Sequence, residues 1–211
     1  MPKTTSQTPA ASSGKKAPKP VNPVINAYLI AYNWASFAGW SWVLVQTVRT
    51  LLATGGDYSK VYAVVGDKLV WVQTAALLEV ASRLLLVWGI CTLFPVPEVR
   101  SYWAFTTMTI AWCITECIRY AYYALNLVNM GPSFLVWCRY TFFYILYPVG
   151  AGSEAIEIYQ SLPFAHTIHP AYYYFLVAML CIYPPGFFVM YTHMFAQRKR
   201  YLGPSKAKKS Q

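Results

Sequence analysis

Long runs of apolar residues without any charge dominate this chain. Residues 25–48 and 158–197 contain no Asp, Glu, Lys or Arg, and each run exceeds the ~20 residues that an α-helix needs to cross a ~30 Å hydrocarbon core. The sequence lacks the alternation with period two that membrane-spanning β-strands show. Inside a membrane, the backbone polar groups must then be satisfied within helices. The pattern therefore predicts an all-α fold, a polytopic helical membrane bundle.

Turn residues divide this bundle into five long helices. The turn-forming stretches are TGGD (54–57), FPVPE (94–98) and NMGPS (129–133). Tyr, Trp and Phe cluster at the ends of the apolar segments, where aromatic side chains commonly anchor helices at the membrane surface. The predicted helices cover about Ile25–Val48, Val70–Phe94, Tyr102–Val128, Phe134–Gly150 and Ala171–Met194.

Basic residues are concentrated in the two tails. The formal net charge is +10, and ten of the 17 Lys and Arg residues lie in 1–23 and 198–211. The first tail is rich in Pro and Ser and has no apolar stretch, which is typical of disorder. Basic residues beside membrane helices favour the cytosolic side, so both termini are expected in the cytosol, and no nucleic-acid partner is expected. We therefore predict a disordered tail 1–23, a helical transmembrane domain 24–197 and a cytosolic tail 198–211.

The carboxyl end reads Lys208-Lys209-Ser210-Gln211. It resembles the dilysine signal that retrieves membrane proteins to the endoplasmic reticulum, an address that a receptor reads. A further stretch of basic tail would have the same composition, but the terminal position favours the signal. The expected location is the endoplasmic reticulum membrane, crossed several times.

Neither the cysteines nor the histidines form a pattern typical of a metal site. The five cysteines include no C-x-x-C pair, and His166 and His169 form the only close histidine pair, which supplies too few ligands for a metal. Cys113 and Arg119 have the C-x5-R spacing of cysteine phosphatases, but that chemistry needs a loop whose backbone N–H groups converge on phosphate. CITECIR has no glycine and lies within an apolar segment, so we interpret the spacing as coincidental.

Ionisable residues inside apolar segments are costly, which makes them candidates for function. Two acid–arginine pairs have helical spacings, so each acid can neutralise its own arginine. For these pairs, an internal ion pair explains the residues at least as well as catalysis does. Two further residues have no local partner. The pairs are Glu79 with Arg83 and Glu116 with Arg119, and the residues without a local partner are Arg139 and Glu154.

The segment between these last two residues indicates a family. It reads RYTFFYILYPVGAGSE, or R-Y-x-F-F-x-x-L-Y-P-x-G-x-x-x-E. Together with ITECIRYAYYALNL, ASRLLLVWGI and AYLIAYNWASFAGWSWVL, it closely resembles the very-long-chain (3R)-3-hydroxyacyl-CoA dehydratase family, also described as protein-tyrosine-phosphatase-like. The resemblance extends from about Tyr28 to Tyr201. It implies a hydro-lyase of the lipid bilayer that converts a (3R)-3-hydroxyacyl-CoA to the trans-2-enoyl-CoA, the third step of fatty-acid elongation, with other elongation enzymes as partners.

The resemblance also implies the site residues. The family's catalytic tyrosine and glutamate fall on Tyr147 and Glu154. Elimination of water needs an acid for the leaving hydroxyl and a base for the α-proton. Reference pKa values of about 10 for a phenol and about 4.3 for a carboxyl make Tyr147 the natural acid and Glu154 the natural base, although the reverse assignment stays open. No metal or redox cofactor is expected, because the reaction transfers no electrons. Substrate-binding or supporting roles are expected for Arg139, Gly150, Arg119, Glu116, Arg83, Glu79 and Tyr120.

The spacing within the motif sets its geometry. Tyr147 and Glu154 lie two helical turns apart, on one face and about 10 Å from each other along the axis. A proline and two glycines between them would allow a kink that shortens this distance. Arg139 lies roughly on the same face, where it could bind a carbonyl or phosphate oxygen or tune the tyrosine.

One segment departs from the family pattern. Family members carry L-E-x-x-H and a later S-R motif on separate spans, whereas LLEV here runs directly into ASRLLLVWGI. We therefore expect one helix to be missing between Val80 and Ala81, a fused second helix carrying Glu79 and Arg83, and reduced or absent activity. Two basic tails on one side require an even number of spans, and five is odd, which favours the same hypothesis.

Two other classes of function are compatible with the sequence. A non-catalytic lipid-binding, acyl-CoA-binding or scaffold protein of the same fold would bind acyl-CoA without turnover. A transporter would also use charges within the membrane, but the two halves of the chain show no inverted repeat or paired broken helices.

Overall fold

The computed structural model describes residues 23–75 and 81–202, and their backbone is almost entirely helical. A 3-10 turn, Tyr58–Lys60, precedes α2, and α3 continues directly as a π-helix, Leu85–Thr92. No strand occurs in the described ranges, so the predicted all-α fold is confirmed. The helices are α1 Pro23–Ala53, α2 Val61–Ala75, α3 Ala81–Leu84, α4 Pro97–Arg100, α5 Trp103–Leu127, α6 Ser133–Ile168 and α7 Pro170–Leu202.

Some predictions fall outside the described residues. They concern the amino-terminal tail up to residue 22, Glu79, and the carboxyl end from residue 203, which includes the proposed retrieval signal. At the borders of these ranges, α1 begins at Pro23 and α7 continues to Leu202.

The long helices pack in chain order around one core. α1 lies against α5, α5 against α6, and α6 against α7, while α2 lies against α1. Trp40 of α1, Phe105 and Trp112 of α5, Ile158 of α6 and Leu176 of α7 are buried together. Close packing of such side chains is what holds helices together where the surroundings are as apolar as the core.

Many large apolar side chains point away from this core. On α7 only Leu176 is buried, while Phe188 and Val189 are 68% and 63% exposed. Among the described helices, α7 alone combines the length and the apolar composition needed to cross a membrane, with a mean hydropathy of 1.7 over its most apolar 18 residues. The coarser prediction of a helical bundle is therefore confirmed, and the membrane topology stays a prediction.

The predicted fused second helix is wrong, because the chain doubles back between residues 61 and 92. The indole Nε1 of Trp88 donates a hydrogen bond to Oγ1 of Thr74 at 3.0 Å, whereas residues 14 apart on one straight helix would be separated by about 21 Å. The Tyr62 hydroxyl likewise donates to the Cys91 carbonyl at 3.3 Å. Within residues 23–75 and 81–202, four helices have 25 residues or more, where the sequence predicted five long helices. The apolar pattern could not reveal the reversal, because apolar residues predominate in both arms.

The fourth predicted helix ended at Gly150, and this boundary is also wrong. α6 has 36 residues and contains Pro148 and Pro163. A proline inside a helix removes the N–H that would bond the carbonyl four residues earlier. For Pro148 that carbonyl belongs to Tyr144, and the Tyr191 hydroxyl of α7 donates to it at 3.3 Å. A neighbouring helix thus supplies the missing donor, and α6 continues.

The π-helix has its own external partners. Its Gly89 carbonyl accepts a hydrogen bond from the Tyr172 hydroxyl of α7 at 2.7 Å, and Arg100 donates to the Cys91 carbonyl from Nε at 2.7 Å. A Cβ on Gly89 would lie 2.8 Å from the Tyr172 oxygen. A side chain at position 89 would displace this hydroxyl, so glycine favours the close approach of α7.

Candidate active site

A cavity of about 560 Å³ lies between α5, α6 and α7, with Arg83 of α3 at its wall. This volume is within the range of small-molecule sites. The walls are mainly apolar, and a few polar groups converge on the interior, as in ligand pockets generally. The apolar lining includes Phe142, Leu146, Met179, Ile182, Phe187 and Met190.

Glu154 of α6 is held in this cavity from both neighbouring helices. The Trp112 indole of α5 donates to its Oε1 at 2.7 Å, and the Tyr183 hydroxyl of α7 donates to its Oε2 at 2.8 Å. The next residue back, Ser153, exchanges a hydrogen bond with Thr107 of α5 at 2.7 Å. Each carboxylate oxygen has a second lone pair, so Glu154 is fixed in orientation and can still accept a proton.

Tyr147 lines the same cavity two turns earlier on α6. Its ring stacks on Phe187 and on Tyr191 of α7, with centroids 5.3 and 6.1 Å apart. The side chain is half-buried. Apolar stacking thus fixes the ring and leaves the hydroxyl as its only polar group, which is the arrangement a proton donor requires.

Behind Glu154 lies an ion-pair network. Glu116 is buried and forms ion pairs with Arg83 at 2.5 Å and with Arg119 at 2.6 Å. The Arg83 guanidinium also lies over the Trp112 ring, 5.0 Å from its centroid. The predicted Glu116–Arg119 pair is therefore confirmed, and Arg83 pairs with the same acid from α3. The network supports Trp112, which in turn binds the Glu154 carboxylate.

Arg139 lies in the opposite half of the cavity. Its NH2 group donates to the Tyr123 hydroxyl at 3.1 Å. Its guanidinium carbon lies 4.9 Å from the Tyr123 ring centroid, 5.2 Å from that of Tyr122 and 5.9 Å from that of Tyr140. Arg139 is about eight residues and 12 Å along α6 from Tyr147, so it does not tune that tyrosine by direct contact.

The cavity brings together most of the residues expected from the sequence. Tyr120 lies elsewhere: its ring packs edge-on against Tyr32 of α1, 6.0 Å between centroids, and its hydroxyl accepts from Arg119. Glu116 is in the supporting network, and Glu79 lies outside the described residues. The cavity-lining members are Tyr147, Glu154, Arg139, Gly150, Arg119 and Arg83.

Gly150 lets two helices approach closely. It is buried, and a Cβ built on it would lie 3.7 Å from the Ala111 Cβ of α5. That distance is an ordinary contact, so alanine fits the backbone here while larger side chains would enter the cavity.

Sequence reasoning missed the two residues that bind Glu154. Trp112 lies in an apolar run, and Tyr183 precedes Pro184-Pro185 among aromatic residues that resemble membrane-surface anchors. Only the convergence of α5, α6 and α7 makes them partners of one carboxylate. Glu157, one turn after Glu154, was also missed; it is fully buried without a hydrogen-bond partner for either oxygen, and it does not line the cavity.

The family whose model matches this chain is the one that the sequence motif resembles. The model of the family described as protein tyrosine phosphatase-like protein, PTPLA, matches residues 70–204. The chain belongs to this family. Its phosphatase-like spacing has no phosphatase geometry: Cys113 is fully buried in the middle of α5, where the backbone N–H groups serve the helix. Among the described residues, no group of His, Cys, Asp and Glu could hold a metal ion.

Curated PTPLA relatives share most of their length with this chain. It is 38% identical to the very-long-chain (3R)-3-hydroxyacyl-CoA dehydratase PASTICCINO 2 of Arabidopsis thaliana over 216 residues, with 87% of this chain and 96% of the relative covered. Identity to the very-long-chain (3R)-3-hydroxyacyl-CoA dehydratase 2 of Homo sapiens is 35%, with 85% and 82% covered. The dehydratase hpo-8 of Caenorhabditis elegans is 34% identical, with 88% and 99% covered. No solved structure matches the chain.

The alignment to PASTICCINO 2 also bears on the expected loss of a helix. The alignment has 216 positions, but it covers only 87% of this 211-residue chain, which is about 184 residues. The relative therefore has residues without a counterpart here, as the loss of a segment requires.

Proposed function

We propose that this chain is a very-long-chain (3R)-3-hydroxyacyl-CoA dehydratase, a hydro-lyase of fatty-acid elongation. The single observation that carries the proposal is the fixed carboxylate of Glu154 in a mainly apolar cavity that it shares with Tyr147. The names of the relatives support the same activity. An apolar cavity suits a fatty acyl chain, and an acid and a base suit elimination.

In the proposed reaction, Glu154 removes the proton from the carbon next to the thioester carbonyl. The electrons of that C–H bond form the double bond, and the C–O bond to the β-hydroxyl breaks. Tyr147 donates its proton to the departing oxygen, which leaves as water. Proton exchange with water then restores both groups: Glu154 loses its proton and the Tyr147 oxygen gains one. Atoms and charges balance without an external oxidant or metal.

The supporting residues have distinct parts in this proposal. Trp112 and Tyr183 hold the Glu154 carboxylate, and Arg83 holds Trp112 through its face. Glu116 compensates the charges of Arg83 and Arg119. Preorganised donors of this kind lower the reorganisation needed at the moment of proton transfer.

We further propose a multi-pass location in the endoplasmic reticulum membrane with both termini in the cytosol. The exposed apolar surface of α7 and the basic tails support it. Four helices of 31, 25, 36 and 33 residues are each long enough to cross a ~30 Å core. The other elongation enzymes are proposed as partners because they supply the substrate and consume the product.

A non-catalytic acyl-CoA-binding role is the second candidate. The extra residues of PASTICCINO 2 favour this role, because a bundle that lacks a segment has one packed element fewer around its cavity. The described parts of this hairpin, α2 and α3 with its π-helix, have 15, 4 and 8 residues, which is fewer in each arm than the ~20 residues that span ~30 Å. A binding-only protein would retain the cavity and lose turnover.

Purified full-length protein in detergent micelles tests both candidates. A (3R)-3-hydroxyacyl-CoA is added, and the trans-2-enoyl-CoA is measured by mass spectrometry. Turnover that depends on Glu154 supports the dehydratase. Binding of the thioester without product, by the unchanged protein, would establish the binding-only role and refute the enzyme.

A further inference from the structure

Arg139 is a cation without an acidic partner. No carboxylate of the described residues forms an ion pair with it, and its NH1 group is buried without a hydrogen-bond partner. Its surroundings are tyrosine rings, which hold the guanidinium by their faces. A guanidinium in a poorly hydrated site is costly unless an anion completes it.

A second arginine lies at the same end of the helix pair. Arg198 of α7 lies over the ring of Tyr144, 5.3 Å from the centroid, and its Nε is also buried without a hydrogen-bond partner. Tyr140 lies beside Arg139 and stacks on Tyr201 of α7 with centroids 4.8 Å apart, and Tyr201 follows Arg198 by three residues on that helix. The exposed Lys199 and Arg200 follow on α7. This end of the bundle is therefore strongly cationic.

The two ends of the cavity differ in charge. Arg139 and Glu154 both line it, on one continuous helix, and fifteen residues separate them by about 22 Å along the axis. Apolar side chains line most of the cavity, and the Arg83 and Arg119 guanidinium groups that also line it are already paired with Glu116. A ligand that fills the cavity should thus carry its anionic group far from the atoms that react at Glu154.

We propose that Arg139 and Arg198 bind the nucleotide phosphates of the coenzyme A part of the substrate. This inference rests on the proposed function. In a 3-hydroxyacyl-CoA, a flexible pantetheine arm separates the phosphates from the thioester, so the charged end can reach the arginines while the reacting carbons lie at Glu154. Arginine is the side chain best suited to phosphate, because its planar fork donates two parallel hydrogen bonds. The basic end is also the end predicted to face the cytosol.

The test compares two thioesters that differ only in the nucleotide. The full-length protein is assayed with a (3R)-3-hydroxyacyl-CoA and with the corresponding pantetheine thioester, and the ratio of the two kcat/KM values is determined. Arg139→Gln should lower this ratio about tenfold, as expected for the loss of a charge-assisted contact, and Arg198→Gln should lower it in the same direction. Arg139→Lys should restore part of it, since the charge returns without the fork.

The ratio has a built-in control for folding. Both rates come from one preparation, so a variant that folds poorly lowers them together and leaves the ratio unchanged. Tyr183→Phe serves as the matched control, because it acts at Glu154 and should lower both rates equally. An unchanged ratio in Arg139→Gln would overturn the proposal.

Two further outcomes are distinguishable. A phospholipid headgroup has the same phosphate chemistry; if it occupies the arginines, the effect of Arg139→Gln will follow the phospholipid content of the micelles and not the choice of thioester, which would overturn the proposal. If the unchanged protein dehydrates neither thioester, the proposed function fails. The subsite is then tested by calorimetry with free coenzyme A and free pantetheine: tighter binding of coenzyme A that Arg139→Gln abolishes supports it, and equal binding refutes it.

Discussion

The Tyr183 hydroxyl donates to Oε2 of Glu154 at 2.8 Å, which connects the carboxylate of α6 to α7. Trp112 binds the other oxygen from α5. The orientation of this carboxylate therefore depends on three helices at once. A change in the position of any of these helices will therefore change the orientation of the Glu154 carboxylate, the proposed base.

Replacing either proposed catalytic group should remove turnover without loss of the protein. Glu154→Gln and Tyr147→Phe keep the shape of the side chain and remove the proton acceptor or donor. Each should lower kcat by a factor of about 10² or more, the usual contribution of a positioned acid or base. Steady-state rates with a 3-hydroxyacyl-CoA, at matched amounts of folded protein, provide the measurement. Near-normal rates in both variants would show that the assignment is wrong.

Tyr183→Phe should lower kcat about tenfold, because a hydrogen bond to an ionised group is lost while the ring remains. The matched control is Tyr174→Phe, on the same helix but 68% exposed, which should have no effect on kcat. A structural role alone would lower the melting temperature of Tyr183→Phe and leave kcat per folded molecule unchanged, and that result would contradict the positioning role.

Glu116→Gln should destabilise the fold. The change leaves Arg83 and Arg119 close together without their shared carboxylate, and breaking a buried pair costs about 3 kcal/mol or more. The melting temperature in detergent should fall on the order of 10 °C. Glu98→Gln, at an exposed position, is the control. Equal melting temperatures for the two variants would mean that the network contributes little.

Two glycines should respond in opposite directions to alanine. Gly89→Ala places a Cβ 2.8 Å from the Tyr172 oxygen, and overpacking of this kind costs about 1–3 kcal/mol. Gly152→Ala meets nothing within 4 Å and should stabilise α6 by up to about 1 kcal/mol, because alanine favours helices. Thermal unfolding of both variants gives the comparison. A stable Gly89→Ala would show that α7 does not need this close approach.

The location can be tested at the carboxyl end. Replacing Lys208 and Lys209 by serine should allow a tagged protein to leave the endoplasmic reticulum, because a receptor could no longer read the signal. Fluorescence microscopy against markers of the reticulum and the Golgi is the measurement. An unchanged reticular distribution would assign retention to other features, such as helix length.

Hydrophobic runs predicted the positions of the helices better than their lengths. The predicted 102–128 segment agrees with α5 within one residue at each end. The predicted end at Gly150 was wrong because the prolines and glycines of this segment disfavour a continuous helix, and the hydroxyl that compensates for Pro148 comes from residue 191. The hairpin between α2 and the π-helix was not predicted, because a run of apolar residues does not show where the chain reverses direction.

The site was predicted to a similar extent. Tyr147 and Glu154 could be assigned because one short motif contains both. The partners of Glu154 lie 42 and 29 residues away along the chain, so no local spacing relates them to it. Local spacing paired Arg83 with Glu79, which lies outside the described residues, and it could not show that Arg83 also reaches Glu116, because that contact joins α3 to α5.

The hydrogen bond from the Tyr191 hydroxyl to the Tyr144 carbonyl couples the residues at positions 148 and 191. While residue 148 is a proline, loss of Tyr191 leaves a carbonyl without a donor; once residue 148 regains an N–H, the same hydroxyl becomes superfluous. Substitutions at 148 and 191 should therefore be non-additive in a double-mutant cycle. Tyr191→Phe should therefore cost less stability in a protein that already carries Pro148→Ala.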